Sequence, residues 1–166
     1  MENELLREAL DEHYDELLNY LYLQTGSSHD AHDLVQEVYM KVVTAITSFK
    51  QESTLRTWLF KIARNVFQDH LRKKYRWKRL IDRLKMHQTT TQSHRKDIEN
   101  NDIFLWLDSF DQETRQLLTL KYYFEFSYAE ISAITGMTVT NIGVKLSRIK
   151  QDIKLKEGGM ENGTTR

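Results

Sequence analysis

The stretch from residue 57 to residue 80, TWLFKIARNVFQDHLRKKYRWKRL, interleaves cations with aromatic rings. If this stretch is helical, a set of amide, acidic and basic side chains falls on one polar ridge. A ridge of this kind can hydrogen-bond base edges and pair with phosphates. Rings beside cations also suit single-stranded nucleic acid, because bases stack on the rings while cations hold the backbone. The ridge consists of Lys61, Asn65, Gln68, Asp69, Arg72 and Arg76.

The aromatic residues of this stretch also have a plainer interpretation, which is core packing. We expect Trp58 and Phe67 to belong to the core, whereas Tyr75 and Trp77 fit core packing and base stacking equally well. Solvation alone explains the basic block poorly, since residues 61–85 contain ten basic and two acidic residues. The side chains predicted on or near the core face are Leu55, Trp58, Leu59, Ile62, Val66 and Leu71.

Charge is sorted along the chain, although its 24 basic and 24 acidic residues give a net charge of zero. Residues 1–60 have a net charge of −7, residues 61–85 of +8, residues 86–137 of −4 and residues 138–166 of +3. The two basic segments predict two places that meet a polyanion, and the acidic segments predict surfaces for another partner.

The chain has no cysteine, which excludes disulfides and thiolate chemistry and fits a reducing compartment. Its N-terminus, MENELLREALDE, is acidic and amphipathic, so it does not have the pattern of a signal peptide. No apolar run approaches the ~20 residues that a membrane helix needs. These features predict a cytoplasmic protein.

Helix breakers are rare, since the chain has no proline and only six glycines. Apolar residues recur three and four positions apart, which predicts an all-α fold. The first helix should run from about Glu4 to Gln24 and the second from about Asp30 to Ile46. A third helix, capped by Ser53 or Thr54, should continue to about Arg83.

A polar segment divides the chain into two small helical domains joined by a flexible linker. Residues 86–101, MHQTTTQSHRKDIENN, contain only two large apolar side chains and cannot supply a core. We therefore predict an N-terminal domain over residues 1–85 and a C-terminal domain over residues 102–156. Residues 157–166 are expected to form a disordered tail.

The stretch FSYAEISAITGMTVTNIGVKLSRIKQ, from Phe126 to Gln151, predicts a helix pair joined by a glycine turn. Ser127 and Glu130 have capping-box spacing, Gly136 suits a left-handed C-cap, and Thr138 can cap the second helix. Its predicted apolar stripe is Val139, Ile142, Leu146, Ile149 and Ile153. Its other faces carry Thr140, Asn141, Lys145, Arg148 and Lys150.

These polar and cationic residues suit a recognition helix that enters the DNA major groove with its N-terminus first. The alternative is an ordinary helical hairpin with a solvated cationic face. Gly143 is ambiguous because glycine weakens a helix by roughly 0.8–1 kcal/mol but also permits a close approach of another surface.

The second predicted helix contains DAHDLVQEVYMKV, which places Asp30, Asp33, Glu37 and Lys41 along one exposed side, with Gln36 beside them. Such a surface could bind a basic or amide-rich protein, and its plainer interpretation is a solvated acidic face. His29 and His32 are three positions apart, but without cysteine or a second histidine pair we expect no metal site.

Three blocks, in order, resemble the extracytoplasmic-function (ECF) subfamily of bacterial sigma factors. They read DAHDLVQEVY from Asp30, TWLFKIARNVFQDHLR from Thr57 and SYAEISAITGMTVTNI from Ser127. The resemblance covers about residues 5–155. It implies a promoter-specificity subunit whose second domain binds the β′ clamp helices of core RNA polymerase and opens the minus-ten element. Its fourth domain would bind the β flap and read the minus-thirty-five element.

Position by position, the resemblance implies a role for each predicted site. The loop from Ser48 to Thr54 would capture a flipped minus-ten base. The polymerase-binding residues would be Asp30, Asp33, Gln36, Glu37 and Lys41. The minus-ten residues would be Asn65, Asp69, Arg72 and Lys73, with Lys61, Gln68, Lys74 and Arg76 beside them. The minus-thirty-five residues would be Thr138, Thr140, Asn141, Lys145, Arg148 and Lys150.

The chain departs from the family pattern at three positions. His32 replaces a usual acid, Asp111 replaces a common proline, and Gly143 stands where a cation is frequent. The resemblance also implies an anti-sigma factor as a partner, with no cofactor and no catalytic residue. A stand-alone helix-turn-helix regulator is the alternative function, and a recombinase-like enzyme is disfavoured because the acidic residues form no cluster that suggests catalysis.

Overall fold

A computed structural model describes residues 2–46, 49, 52–84 and 102–161, and side chains for residues 10–46, 49, 52–84 and 102–156. The regular elements of the described residues are all helices, with no strand among them, which confirms the all-α prediction. The N-terminal unit comprises α1 (Glu2–Thr25), α2 (Ser28–Ala45) and α3 (Leu55–Leu84). Within the described residues, no helix is long and apolar enough to span a membrane.

The C-terminal unit consists of short helices followed by one long helix. It comprises α4 (Asp102–Asp108), α5 (Gln112–Leu118), a π-helical turn (Thr119–Tyr123), α6 (Tyr128–Thr135) and α7 (Val139–Glu161). Residues 86–101, where we predicted the linker, lie outside the described residues.

Side-chain caps set several helix starts, and the cap at Thr54 was predicted from the sequence. The Ser27 hydroxyl accepts a hydrogen bond from the Asp30 N–H at the start of α2, and the Thr54 hydroxyl accepts one from the Thr57 N–H at the start of α3. Asp111 caps α5 by accepting a hydrogen bond from the Thr114 N–H. The residue that stands in place of the family's common proline therefore stabilises the same helix in another way.

The predicted helix pair at the C-terminus forms around its predicted signals. Ser127 and Glu130 make a complete capping box, and Gly136 ends α6 with φ of 77°. The Thr138 hydroxyl accepts a hydrogen bond from the Asn141 N–H at the start of α7. The helix-turn-helix backbone is thus specified by local chemistry.

One hydrophobic core runs through both units. The ring of Phe60 on α3 contacts the rings of Phe124 and Phe126, with centroid distances of 5.0 and 4.8 Å. The ring of Tyr20 on α1 also contacts Phe124, at 6.2 Å. Aromatic pairs of this geometry add to the stabilisation from burial alone. The two units therefore pack against each other in this structure.

Two details of the prediction need correction, and a third was not predicted. Val139 was assigned to the apolar stripe of the last helix but is 46% exposed, because it occupies the first turn, before the packed part of α7 begins. Phe60 is one of the rings that lie between the cations of residues 57–80 in the sequence, but it is fully buried because the C-terminal unit covers it. Residues 157–161 were assigned to a disordered tail but continue α7, and residues 162–166 lie outside the described residues.

Candidate nucleic-acid and protein interfaces

The predicted polar ridge lies on one side of α3. Lys61, Asn65 and Arg72 are exposed, and Gln68 and Asp69 are partly buried. The opposite side of the helix carries Leu59, Ala63 and Val66 into the core, among other side chains. Core packing therefore fixes the rotation of α3 and presents the ridge outward.

A cleft of about 560 Å³ lies between the end of α2 and the ridge. Amide, hydroxyl and cationic groups line it, so it offers both hydrogen-bond donors and acceptors. This volume is within the ~300–1,000 Å³ typical of sites for small ligands. Its lining residues are Lys41, Thr44, Ala45, Ile62, Arg64, Asn65, Gln68, Asp69 and Arg72.

A chain of ionic contacts joins α2 to the ridge. The Lys41 ammonium lies 3.8 Å from a Glu37 carboxylate oxygen and 3.2 Å from an Asp69 carboxylate oxygen. Arg72 donates to the other Asp69 oxygen at 2.8 Å. The hydrogen bond from Lys41 is the main reason that the pKa of Asp69 lies below its ordinary value. Asp69 is therefore held ionised between two cations.

The last turns of α3 expose cations and rings together. Tyr75 is 57% exposed and Trp77 is 64% exposed, which removes the core interpretation for these two rings. Lys73, Lys74 and Arg76 are also exposed. By contrast Phe67 is buried and Trp58 is partly buried, in agreement with the prediction that both belong to the core.

The acidic face of α2 is open. Asp33 and Gln36 are exposed, whereas Asp30, Glu37 and Lys41 are partly buried. His29 lies 3.4 Å from the Asp33 carboxylate, and His32 contacts the Ser28 carbonyl oxygen at 2.8 Å. Both histidines therefore interact within α2.

Two apolar side chains extend this acidic face, and the sequence analysis missed them. Met40 is 71% exposed and Val43 is 60% exposed, and they follow Gln36 at spacings of four and three residues. A helical wheel could have found them, since they fall outside the stripe formed by Val35, Val38 and Val42. They add apolar area beside the acidic side chains of this face.

Helix α7 presents most of its predicted DNA-contacting residues to solvent. Thr138, Thr140, Asn141, Arg148 and Lys150 are exposed. The opposite side buries Ile142 and Leu146 in the core, with Ile149 and Ile153 partly buried.

Two cations of this helix also contact the C-terminal unit itself. Lys145 is partly buried and pairs with Glu113 on α5. The Lys150 ammonium lies over the Tyr122 ring, 5.4 Å from its centroid. These contacts orient two long side chains that would otherwise be flexible.

Gly143 faces α6. A Cβ atom built on it would lie 3.5 Å from Cε2 of the Tyr128 ring, which is ordinary van der Waals contact. The close approach that glycine permits here is therefore the packing of α6 against the inner side of α7. An alanine would fit in the same space.

Polar contacts reinforce the packing of the two units. Arg64 donates to the Gln116 side-chain oxygen at 2.9 Å, and Gln116 donates to the Tyr20 hydroxyl at 3.2 Å. Burial raises the pKa of Tyr20 well above its ordinary value. Elsewhere in the interface, Thr57 donates to Glu130 at 3.4 Å.

The fold and its surfaces define a class of protein. A helix-turn-helix unit with an outward cationic helix is combined with a second helix that carries a cationic and amide ridge. Beside this ridge lies an acidic, partly apolar face. This combination suits a transcription protein that binds both nucleic acid and a protein partner.

Comparisons with known proteins agree with this class. Residues 9–77 match sigma-70 region 2, and residues 107–153 match sigma-70 region 4. The ECF RNA polymerase sigma factor SigM of Bacillus subtilis (strain 168) is 31% identical over 153 residues, covering 88% of this chain and 93% of SigM. The RNA polymerase sigma factor YlaC of the same strain is 28% identical over 149 residues, covering 86% of each chain.

Solved structures share this fold. The sigma factor RpoE of Bartonella quintana, in complex with the anti-sigma factor NepR, has a TM-score of 0.70 and 25% identity, covering 90% of this chain and 91% of RpoE. CnrH, in complex with the cytosolic domain of CnrY, has a TM-score of 0.68 at 17% identity, covering 95% of this chain and 90% of CnrH. The chain belongs to the ECF subfamily of bacterial RNA polymerase sigma factors.

Proposed function

We propose that this chain is a promoter-specificity subunit that binds core RNA polymerase and directs initiation at a defined set of promoters. It acts by binding and not by catalysis, and it acts in the cytoplasm with the polymerase. Residues 1–85 form the polymerase-binding and minus-ten unit, and residues 102–156 form the minus-thirty-five unit. Two outward cationic surfaces on one chain, the ridge of α3 and the outer side of α7, are the observation that carries the proposal.

The minus-ten element contacts the ridge of α3 and the adjacent cleft. The Asn65 and Gln68 amides can hydrogen-bond an unpaired base, and the cleft is large enough to receive it. Arg72, Lys73, Lys74 and Arg76 then pair with the phosphates that flank the base. Of the loop predicted to capture this base, Phe49 and residues 52–54 are described, and the other positions lie outside the described residues.

The minus-thirty-five element contacts α7. Thr140 and Asn141 in its first turns reach base edges in the major groove, and Arg148 and Lys150 pair with phosphates or bases further along. Thr138 positions the first turn through its cap. Lys145 contributes to the DNA contact from the side of α7, while its ammonium group pairs with Glu113.

The polymerase contacts the outer face of α2. Asp33, Gln36 and Glu37 supply the polar contacts, and Met40 and Val43 supply apolar area. Interfaces combine an apolar centre with a polar rim in this way. Because RpoE and CnrH were solved with protein partners, we also propose an anti-sigma factor as a partner of this chain.

The proposal is tested by mixing the purified chain with core RNA polymerase and a promoter library. We expect a stable complex that initiates transcription from a subset of promoters. A complex that initiates without promoter preference would contradict the role of the two DNA surfaces. Dimeric binding of the free chain to promoter DNA would favour the stand-alone regulator instead.

A further inference from the structure

On the outer side of α7, one cation is paired with an acid from another helix. A polar stripe runs along this side at spacings of four, three and four residues, and it consists of Asn141, Lys145, Arg148 and Asp152. Asn141, Arg148 and Asp152 are exposed. Lys145 is partly buried, and its ammonium group pairs with the Glu113 carboxylate on α5. An acidic group of α5 therefore lies beside the stripe that meets DNA in the proposed function.

The start of α5 is fixed in place, so the position of Glu113 is defined. The Asp111 carboxylate accepts hydrogen bonds from the Thr114 N–H at 3.0 Å and from the Thr114 hydroxyl at 2.8 Å. The buried Arg115 then donates to the Asp108 carboxylate at 2.7 Å. These contacts hold the first turn of α5, and with it the Glu113 side chain, against α7.

Lys145 interacts with both acidic residues at the start of α5. The hydrogen bonds from Thr114 are the main reason that the pKa of Asp111 lies below its ordinary value, and the charge of Lys145 contributes to this shift. The Glu113 side chain is 54% exposed, and an ion pair that is this exposed adds little to folding stability. What the pair fixes is the direction of a long, flexible side chain.

Pairing with a carboxylate changes what a lysine does at a DNA surface. A lysine without a protein partner pairs with phosphates, which are alike in every sequence, and so strengthens binding to any duplex. A paired lysine gains less from a phosphate, because its ammonium group must leave the carboxylate to reach one. Its remaining donors stay available for a base edge, and guanine, which presents two acceptors in the major groove, is the base that suits them.

We propose that Glu113 is a positioning residue for recognition of the minus-thirty-five element: it holds Lys145 for a base edge and keeps it from sequence-independent phosphate contact. This role rests on the proposed function, in which α7 reads that element. Glu113 was not among the predicted site residues, because it lies on a different helix, 32 positions before Lys145. A pairing over this distance has no local signal in the sequence.

Two variants and a double variant isolate the effect of Glu113. Glu113→Gln removes the carboxylate charge and keeps the length of the side chain. Asp152→Asn is the matched control, because it also removes one negative charge beside the DNA-facing stripe but leaves the Lys145 ion pair intact. Combining Glu113→Gln with Lys145→Ala shows whether Glu113 acts through Lys145, since the effect of the first change should then vanish in the second background.

The first measurement is the salt dependence of binding of the full-length chain to duplex DNA of random sequence. Glu113→Gln should bind this duplex about three- to ten-fold more tightly than the parent, with a slope of log affinity against log salt that is steeper by about 0.9, the value for one further phosphate contact. Asp152→Asn should keep the slope of the parent, and so should Glu113→Gln in the Lys145→Ala background. Equal slopes for the parent and Glu113→Gln would overturn the proposed role.

The second measurement is selection of promoters by the complexes with core polymerase, from a library randomised across the minus-thirty-five element. The parent should prefer guanine at one base pair, Glu113→Gln and Lys145→Ala should each lose this preference several-fold while other positions keep theirs, and Asp152→Asn should match the parent. Loss of preference at every position in Glu113→Gln would overturn the positioning role and indicate a general disturbance of α7. A parent complex without any preference in this element would instead overturn the proposed function of α7.

Discussion

Arg56 and Phe124 connect the two units through a hydrogen bond of 3.1 Å from the guanidinium to the backbone carbonyl. The same guanidinium donates to both carboxylate oxygens of Glu16, at 2.8 and 2.9 Å. Its central carbon lies 4.2 Å from the centroid of the Phe126 ring. One side chain therefore joins α1, α3 and the segment before α6.

Replacing Arg56 should destabilise the protein even if the charge is kept. Arg56→Lys retains a cation but loses the planar fork that bonds Glu16 and Phe124 together. We expect a loss of about 1–2 kcal/mol in the free energy of unfolding, which is below the full ~1.5–3 kcal/mol of a hydrogen bond to a charged group because lysine keeps part of the attraction to Glu16. Urea denaturation measures this change.

Arg79→Lys is the matched control for Arg56→Lys, since Arg79 is exposed on the same helix. It should change the free energy of unfolding by no more than about 0.5 kcal/mol. Equal effects of the two substitutions would contradict a special role for the Arg56 contacts.

The Glu16 contact should make stability depend on pH in the acidic range. The hydrogen bond from Arg56 is the main reason that the pKa of Glu16 lies below its ordinary value of 4.5. A lowered pKa in the folded state stabilises the protein above the unfolded-state pKa, and this contribution is lost as pH falls through the folded-state pKa. Glu16→Gln should be less stable than the parent at pH 7.

The same comparison at low pH tests the direction of this pH dependence. The difference in unfolding free energy between the parent and Glu16→Gln should shrink as pH falls below about 4.5, because the parent carboxylate becomes protonated. A difference that stays constant from pH 7 to pH 3 would mean that the Glu16 charge does not stabilise the fold.

Gly143→Ala should stabilise the C-terminal unit. Alanine is favoured over glycine in a helix interior by about 0.8–1 kcal/mol, and its Cβ atom would make an ordinary contact with Tyr128. Thermal unfolding of the parent and the variant measures the gain. Gly143→Leu serves as the comparison, because its longer side chain would press on the Tyr128 ring. If leucine also stabilised the unit, the space between Gly143 and Tyr128 would not be confined.

Two variants should distinguish DNA recognition from polymerase binding, because each should weaken one and keep the other. Arg148→Ala should weaken promoter binding by about 1–3 kcal/mol if Arg148 contacts a base edge, while core polymerase binding is kept. The double variant Asp33→Ala and Glu37→Ala should weaken core polymerase binding instead. Titration of polymerase and of promoter DNA against each variant measures both effects.

Each of these variants is the control for the other. Glu37 also contacts Lys41, so the double variant should be tested for folding by circular dichroism before its affinity is interpreted. Unchanged polymerase affinity in a folded double variant would refute the assignment of the α2 face. A loss of polymerase affinity in Arg148→Ala would show that α7 has a role other than reading DNA.

Local features of the fold could be predicted from the sequence because their causes lie within a few residues. The Ser127 and Glu130 capping box, the left-handed Gly136 and the Thr138 cap all act over at most three positions. The polar ridge of α3 could be predicted for the same reason, since helical spacing alone puts Asn65, Asp69 and Arg72 on one side.

Contacts between the units could not be predicted, because they join residues far apart in the chain. Arg56 and Phe124 are separated by 68 positions, and no local pattern pairs them. The burial of Phe60 depends on the same packing, so the cations beside it in the sequence give no sign of it. The inner role of Gly143 likewise required the position of Tyr128 on the neighbouring helix.

Promoter-directed transcription by the reconstituted complex decides whether this chain is a specificity subunit. Purified chain, core RNA polymerase and a library of promoter fragments should give transcripts from a restricted set of fragments, and core polymerase alone should give none of these. The Arg148→Ala complex should form normally but lose most of this output. If adding the chain leaves the transcripts of core polymerase unchanged, the proposed function is wrong.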